Sequence, residues 1–354
     1  MELYLLDAEG RRIANVAEYS SLTWRTNLAG ARVDAELPLS MEELVRAAVY
    51  LERSDCDVLA LITSRVADHE SRSLKVEARD PIELLGRRVN FWTRNYNGQR
   101  LESIVVDLVN AALSNRSELP GVNRMIPLWQ RMVDTGATSR HLARQLTTQV
   151  SWQDCYSKVC ELLEDSPLRF YTRFADGLIV PVLYEGIDRS HVVVVSVADG
   201  DLSKVVHSQV DEGICDVAVI GGQGEGAGRV VTTVGVSDLD VTHGELWVDA
   251  SSIGDDNGAL TPPQVLAALR EHGREKLFEQ PREDSVAGAA AQTRFEFGKD
   301  YFVGDRIGFR TDCVRGSDVI TEVEEVFEGG SKVVNIVVGK SYPTIREIVE
   351  KRTL

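Results

Sequence analysis

From Leu3 to Val338 the chain repeats one device: a run of four to nine residues in which apolar or β-branched side chains dominate or alternate, closed by a turn. The runs lie at 3–6, 12–16, 21–26, 32–39, 58–65 and 73–78, and resume at 169–174, 178–184, 192–197, 214–220 and 230–236. A last group lies at 293–297, 306–310, 318–326 and 332–338. Runs this short and closely spaced predict the strands of a barrel or sandwich. Glu328-Gly329-Gly330-Ser331 reads as a hairpin loop, because glycine takes positive φ without a Cβ clash.

Helical signals interrupt the strands. A hydroxyl followed three residues later by a side chain that reaches back marks a helix start. Ser40 with Glu43 predicts one helix, with Met41, Leu44, Ala48 and Leu51 on one face. Ser151 with Asp154 predicts a second, with Trp152, Cys155, Tyr156, Val159 and Leu163 as its stripe. Thr261 with Gln264 predicts a third, aided by Pro262 at the first helical position. Thr344 with Glu347 predicts a short terminal helix. A further helix over about 100–114 lacks the box, but Leu101, Ile104, Val105, Leu108 and Ala112 fall on one face. Residues 115–136 hold Pro120, Gly121, Pro127 and Gly136 with little periodicity, and read as a long loop.

Charge narrows the functions open to such a chain. Its net charge of −16 argues against wrapping a nucleic acid, which relies on Lys and Arg. Between Val205 and Leu269 stand ten acidic residues and one basic one, Arg229. That stretch reads either as a solvated acidic surface or as a channel wall that repels DNA. No apolar run reaches the ~18 residues of a membrane helix. Met1-Glu2-Leu3-Tyr4 lacks the basic start of a secretory signal, so folding in a cytoplasm is expected.

Catalytic and cofactor signatures are weak. The run Gly221-Gly222-Gln223-Gly224-Glu225-Gly226-Ala227-Gly228 lacks the dinucleotide spacing, is followed by β-branched Val230 to Thr233, and carries a Glu that repels phosphate. The six histidines show no H-x-x-x-H or H-E-x-x-H spacing, and a Gly-x-Ser-x-Gly elbow is missing. Cys56, Cys155, Cys160, Cys215 and Cys313 form no C-x-x-C pair and read as buried free thiols. No cofactor or metal is expected, and a structural or binding role is favoured over an enzyme.

Several local patterns are ordered along nearly the whole chain. They are Tyr19-Ser20-Ser21-Leu22-Thr23-Trp24, then Gly30 and Ala35-Glu36-Leu37-Pro38-Leu39, then Val76-Glu77-Ala78-Arg79-Asp80 with Leu84-Leu85-Gly86-Arg87-Arg88. Gly186-Ile187-Asp188-Arg189-Ser190, Gly222-Gln223-Gly224-Glu225-Gly226 with Arg229, Glu245 and Val248-Asp249-Ala250 follow. Gly298-Lys299-Asp300-Tyr301-Phe302-Val303-Gly304-Asp305 and Ile320-Thr321-Glu322-Val323 close the series. In these the chain resembles a siphophage tail-protein family, similar to the N-terminal hub portion of tail-associated lysins and distantly to the trimeric baseplate hubs of contractile tails.

The resemblance implies a β-rich α+β fold of two related β-barrel hub domains with an inserted α+β domain. The expected division is 1–96 for the first barrel, completed by strands from about 187–236, and 97–186 for the insertion. The second barrel would take 237–340 with helix 261–279, and a C-terminal helix 341–354. It implies a homotrimer in the phage tail tip, assembled in the host cytoplasm, that caps the six-fold tail tube and leaves a lumen for DNA and tape measure. Its partners would be the distal tail ring, the tape measure and downstream tail-tip or fibre proteins, with no specific nucleic-acid site and no membrane segment. No catalytic residue carries over. Trp24, Asp80, Asp188, Gly222, Gly224, Glu225, Arg229, Asp249, Gly304 and Asp305 are motif residues of structural role, and Asp238, Asp240 and Glu245 are candidate lumen-lining acids. Relatives with a lytic C-terminal domain make a cell-envelope hydrolase one rival reading, although the chain ends at Leu354, soon after its last expected strand. A distal tail ring or receptor-binding protein is the other.

Overall fold

The computed structural model describes residues 1–339 apart from Trp92, 116–120, 164–165, 211–214, 236–243, Ser252, 255–260, 279–282, Thr293 and Cys313. It is β-rich with four α-helices among the described residues, and it divides into two units. Met1–Val206 and Val286–Gly339 form the first, and the second includes His207–Ser285.

In the first unit β1 (Leu3–Leu6), β2 (Arg12–Val16), β3 (Ser21–Asn27) and β4 (Gly30–Pro38) lead through α1 (Glu42–Ala47) to β5 (Tyr50–Arg53), β6 (Leu59–Asp68) and β7 (Ser73–Arg79). They are antiparallel neighbours in the order β3-β4-β7-β6-β5-β1-β2. Leu22 and Trp24, Val33, Ala35 and Leu37, and Leu74, Val76 and Ala78 alternate with polar residues, so one face builds a core and the other stays wet.

The chain then leaves this sheet. A 3₁₀ turn (Pro81–Arg87), β8 (Arg94–Arg100), α2 (Leu101–Ala112), β9 (Gln145–Val150) and α3 (Cys155–Leu163) surround a second core. The five predicted stripe residues of α2 are all fully buried there. The hairpin β10 (Leu168–Ala175) and β11 (Leu178–Glu185) follows, and its alternation sends Phe170 into this second core and Tyr171 into the first.

After β12 (Val194–Ser196) and β13 (Leu202–Val210) the chain builds the second unit from β14 (Val217–Gly221), β15 (Val231–Gly235), β16 (Glu245–Asp249) and α4 (Pro262–Phe278). β14 lies centrally, antiparallel to β15 and parallel to β16. Ala218, Ile220, Val234 and Val248 of one sheet face meet Val265 and Leu269 of α4.

β17 (Glu283–Ala290), β18 (Arg306–Arg310), β19 (Arg315–Glu328) and β20 (Ser331–Gly339) complete the large sheet. β19 is 14 residues long and shared. Its start pairs with β18, its end pairs with β3, and β20 runs beside it. Ile320 and Val323 enter a third core with Val195, Tyr301, Ile307, Val334 and Ile336, while Phe327 enters the first. One 13-stranded sheet thus carries two β-modules with separate cores. Its strand path ends at β13 and β2, so the described strands form an open sheet where two barrels are expected.

β3 finds its outer neighbour in β19, while β14 and β15 pair in the separate sheet with β16. Some helix signals resolve differently from expectation. The Ser40 and Glu43 box does not form, because Ser40 lies in a 3₁₀ turn and the residue before α1 is Met41, with no side-chain cap. Leu51 belongs to β5, and Leu44 is exposed while Val45 is buried. For α3 the capping residue is Asp154, which accepts from Ser157 N at 2.8 Å, and Ser151 instead bonds Thr93. Trp152 lies outside the helix, exposed. The Thr261 box does form, with Gln264 Oε1 accepting from Thr261 N at 2.8 Å. The helix expected at Thr344 lies outside the described residues.

Candidate functional site

The motif residues gather into three polar ties. The first is built on Asp80, where β7 ends. Pro81 cannot extend a strand ladder, and Asp80 turns the chain by accepting from Ile82 N at 2.9 Å. The same carboxylate accepts from Thr172 N and Oγ1 on β10, at 3.2 and 2.7 Å. Gly30, at φ +117°, lies against it, and a Cβ there would sit 2.7 Å from Asp80 Cβ. Trp24 is buried in the neighbouring core.

Asp80 is wholly buried, and burial pushes its carboxyl up to about 6 despite three hydrogen bonds that lower it. Its folded value exceeds the ordinary 3.8, so its contribution is fully present below pH 3.8 and lost as pH rises through 6. That contribution is on the order of 3 kcal/mol. Asp80→Asn keeps an oxygen toward the same donors and does not titrate. Melting of both proteins from pH 8 to pH 5 should therefore favour the wild type progressively, and a pH-independent gap would contradict the assignment.

The second tie joins two motifs far apart in sequence. Asp305, also fully buried, accepts from Tyr184 Oη (2.7 Å), Ile187 N (2.8 Å), Arg189 Nε (2.7 Å) and Phe302 N (3.1 Å). The segment after β11 is thereby held to the turn before β18. Burial, then the bond to Asp305, raises the Tyr184 hydroxyl well above its ordinary range. The backbone of Asp188 pairs with that of Arg306 in a single parallel β-bridge, and its carboxylate accepts from Ser190 N at 3.0 Å. Gly186 crosses Gly304 so closely that a Cβ would stand 1.9 Å from Gly304 O.

The third tie lies in the second unit. Arg229 donates to Gly222 O (3.0 Å), Gly221 O (3.1 Å) and the Asp249 carboxylate, and its guanidinium stacks 5.1 Å from the Trp247 ring. Gly224, at φ +104°, closes the turn with no room for a Cβ beside Gly228 O, and Gly222 lies under Leu269. Glu225 is exposed at the tip. β15 follows, so the glycine run is a strand-to-strand turn. Of the candidate lumen acids, Glu245 is exposed on β16, while Asp238 and Asp240 lie outside the described residues.

One buried network carries no local sequence signal. Arg53 on β5 grips Glu325 on β19 through both terminal nitrogens, at 2.7 and 3.2 Å, and both side chains are almost fully buried. Lys332 adds a second cation at 2.7 Å, and Arg53 stacks between Trp24 and Phe327. The predicted loop 115–136 is pinned where it is described. The Asn110 amide exchanges two hydrogen bonds with Met132, and Glu102 accepts from Thr135 N and Oγ1. The Ser103 hydroxyl, first among several donors, holds Asp134 down to about 2.

Burial pushes the Cys56 and Cys155 thiols up to about 11 and about 12, which favours the thiol over the nucleophilic thiolate. Among the described residues no cluster of His, Cys, Asp and Glu could hold a metal ion, and no helix is long and apolar enough to cross a membrane.

Three solved structures share this fold over nearly their whole length. The tail protein from Neisseria meningitidis MC58 superposes with a TM-score of 0.61 at 11% identity, over 96% of each chain. The prophage MuSo2 43 kDa tail protein from Shewanella oneidensis gives 0.57 at 10% identity, over 96% of this chain and 98% of its own. Prophage tail protein gp18 from Listeria monocytogenes EGD-e gives 0.56 at 9% identity, over 100% and 98%. At such identities the likeness is one of fold. A search of curated proteins finds no match. The family model of the Siphovirus ReqiPepy6 Gp37-like proteins covers residues 2–340, and the chain belongs to that family.

Proposed function

We propose that the protein is a structural hub of a phage tail tip, with no enzymatic role of its own. Three copies would close into a ring under the tail tube by head-to-tail contacts. The observation that carries this reading is the single sheet that bears two β-modules with separate cores, joined through the shared strand β19. Two such modules per chain give six around a three-fold axis, the number needed to meet a six-fold tube. The modules act as the two hub domains, with residues 81–186 and the second unit as insertions. The full-length fold likeness to phage tail proteins supports the same role.

In this reading the neighbours are a distal tail ring above, the tape measure within, and tail-tip or fibre proteins below. DNA leaves through the central passage, and the acidic stretch, with Glu245, Asp238 and Asp240, keeps its wall free of bound DNA. The chain assembles in the host cytoplasm and works in the virion. Native mass measurement of the purified protein, or of tips released from particles, should give three copies. A persistent monomer, a six-copy ring, or turnover of peptidoglycan by the purified chain would each replace this reading.

A further inference from the structure

Arg53 and Arg169 are both almost wholly buried against aromatic rings, and the fold treats them oppositely. Arg53, 3% exposed, holds the Asp55 and Glu325 carboxylates in hydrogen-bond contact. Arg169, 6% exposed on β10, has no such partner. Among the described residues its guanidinium makes no hydrogen bond and no ion pair, and its Nε is sealed from water without an acceptor. Nη1 and Nη2 are not sealed in this way, so the outer edge of the guanidinium is the approachable one. Its Cζ stands 3.7 Å from the centroid of the Tyr171 ring, and the β10–β11 register sets Tyr184 directly opposite it. The carboxylates whose charge reaches Arg169 are Asp80 and Asp57, and both are committed elsewhere. Asp80 accepts from Ile82 N and from Thr172, and Asp57 accepts from Arg173 Nε at 2.6 Å.

A guanidinium keeps its proton inside a protein, so burial here leaves a cation that has lost its water. The face of Tyr171 offsets that loss only in part. The planar fork of an arginine matches an oxyanion that offers two oxygens side by side. We infer that Arg169 is an oxyanion site, whose terminal nitrogens take one carboxylate or phosphate group with Tyr171 as the floor beneath the guanidinium. The anion comes either free from solution or on a second copy of the chain. The site belongs to the first unit alone and stands whether or not the ring proposed above forms.

Thermal melting of the full-length protein, titrated with inorganic phosphate at constant ionic strength, tests the site. The melting temperature of the wild type should rise with phosphate, and that of Arg169→Met should not move. Arg12→Met, which removes an exposed arginine that also lies over a tyrosine, should respond as the wild type does. Arg169→Lys keeps the charge without the fork and should need several-fold more phosphate for the same shift. If the anion is carried by a second copy, the wild type should instead associate as its concentration rises while Arg169→Met stays monomeric. Without phosphate, Arg169→Met should melt no lower than the wild type, because it removes a buried charge that nothing balances. An Arg169→Met that matches the wild type in both phosphate response and association would overturn the inference. So would one that melts far below it, or fails to fold, in phosphate-free buffer, since the guanidinium would then be satisfied already. A phosphate response that emerges only in Glu164→Gln/Asp165→Asn would assign the anion to the chain itself and equally overturn an external site.

Discussion

Glu325→Gln should lower stability by about 3 kcal/mol, the cost of leaving a buried guanidinium without its buried carboxylate and with only the part-exposed Asp55 as anion. For a unit of this size that is a fall on the order of 10 °C in melting temperature. Both side chains are nearly sealed from water, and Arg53 is wedged between Trp24 and Phe327, so the cation cannot turn outward when the anion is lost. Arg53→Met/Glu325→Leu should lie closer to the wild type than Glu325→Gln, because removing both charges removes both desolvation costs. Asp55 and Lys332 lose a partner in that variant, but each is more than a third exposed on its side chain and regains water. Calorimetry of the three proteins settles the matter. If the double variant melts below Glu325→Gln, the pair is a net source of stability beyond its repair of burial.

How much of this was readable beforehand follows from where each signal lies. The strands β1 and β2 and the buried stripe of α2 are local patterns, and their bounds can be read within a residue or two. β17 escapes because Val-Ala-Gly-Ala-Ala has too little β-branched character, and its pairing with β20 supplies what the sequence lacks. β8 escapes because Arg94-Asn95-Tyr96-Asn97-Gly98-Gln99-Arg100 is polar throughout and only Tyr96 is buried. The Ser151 box misleads because a carboxylate, Asp154, stands closer to the helix start and is the stronger acceptor. Asp80 and Asp305 are visible as motif residues, but their partners Thr172 and Arg189 lie 92 and 116 positions away. Arg53 and Glu325, 272 positions apart, have no local pattern at all. Contacts of that range follow from the topology, and the topology follows from which strand β19 chooses on its free side.

Gly186→Ala should be more damaging than loss of any one of those polar contacts. The added methyl would stand 1.9 Å from Gly304 O, 2.2 Å from Gly304 C and 2.6 Å from Asp305 N. All three are backbone atoms, so no rotamer change relieves the clash. The two segments must part, and parting them withdraws Ile187 N and Arg189 from the buried Asp305 carboxylate. Steric relief and a buried carboxylate left with Tyr184 and Phe302 as its donors together place the cost at about 4 kcal/mol or more. The damage should be local to the second β-module. Amide exchange should accelerate in β18 and the start of β19, while β4 and β7 of the first module keep their protection. Gly98→Ala is the control. Gly98 has φ +58° but nothing within 4 Å of its missing Cβ, so only backbone strain of about 1 kcal/mol is incurred. Were Gly186→Ala to melt within that same margin, the crossing of residues 186 and 304 could not be the joint that fixes the second module in place.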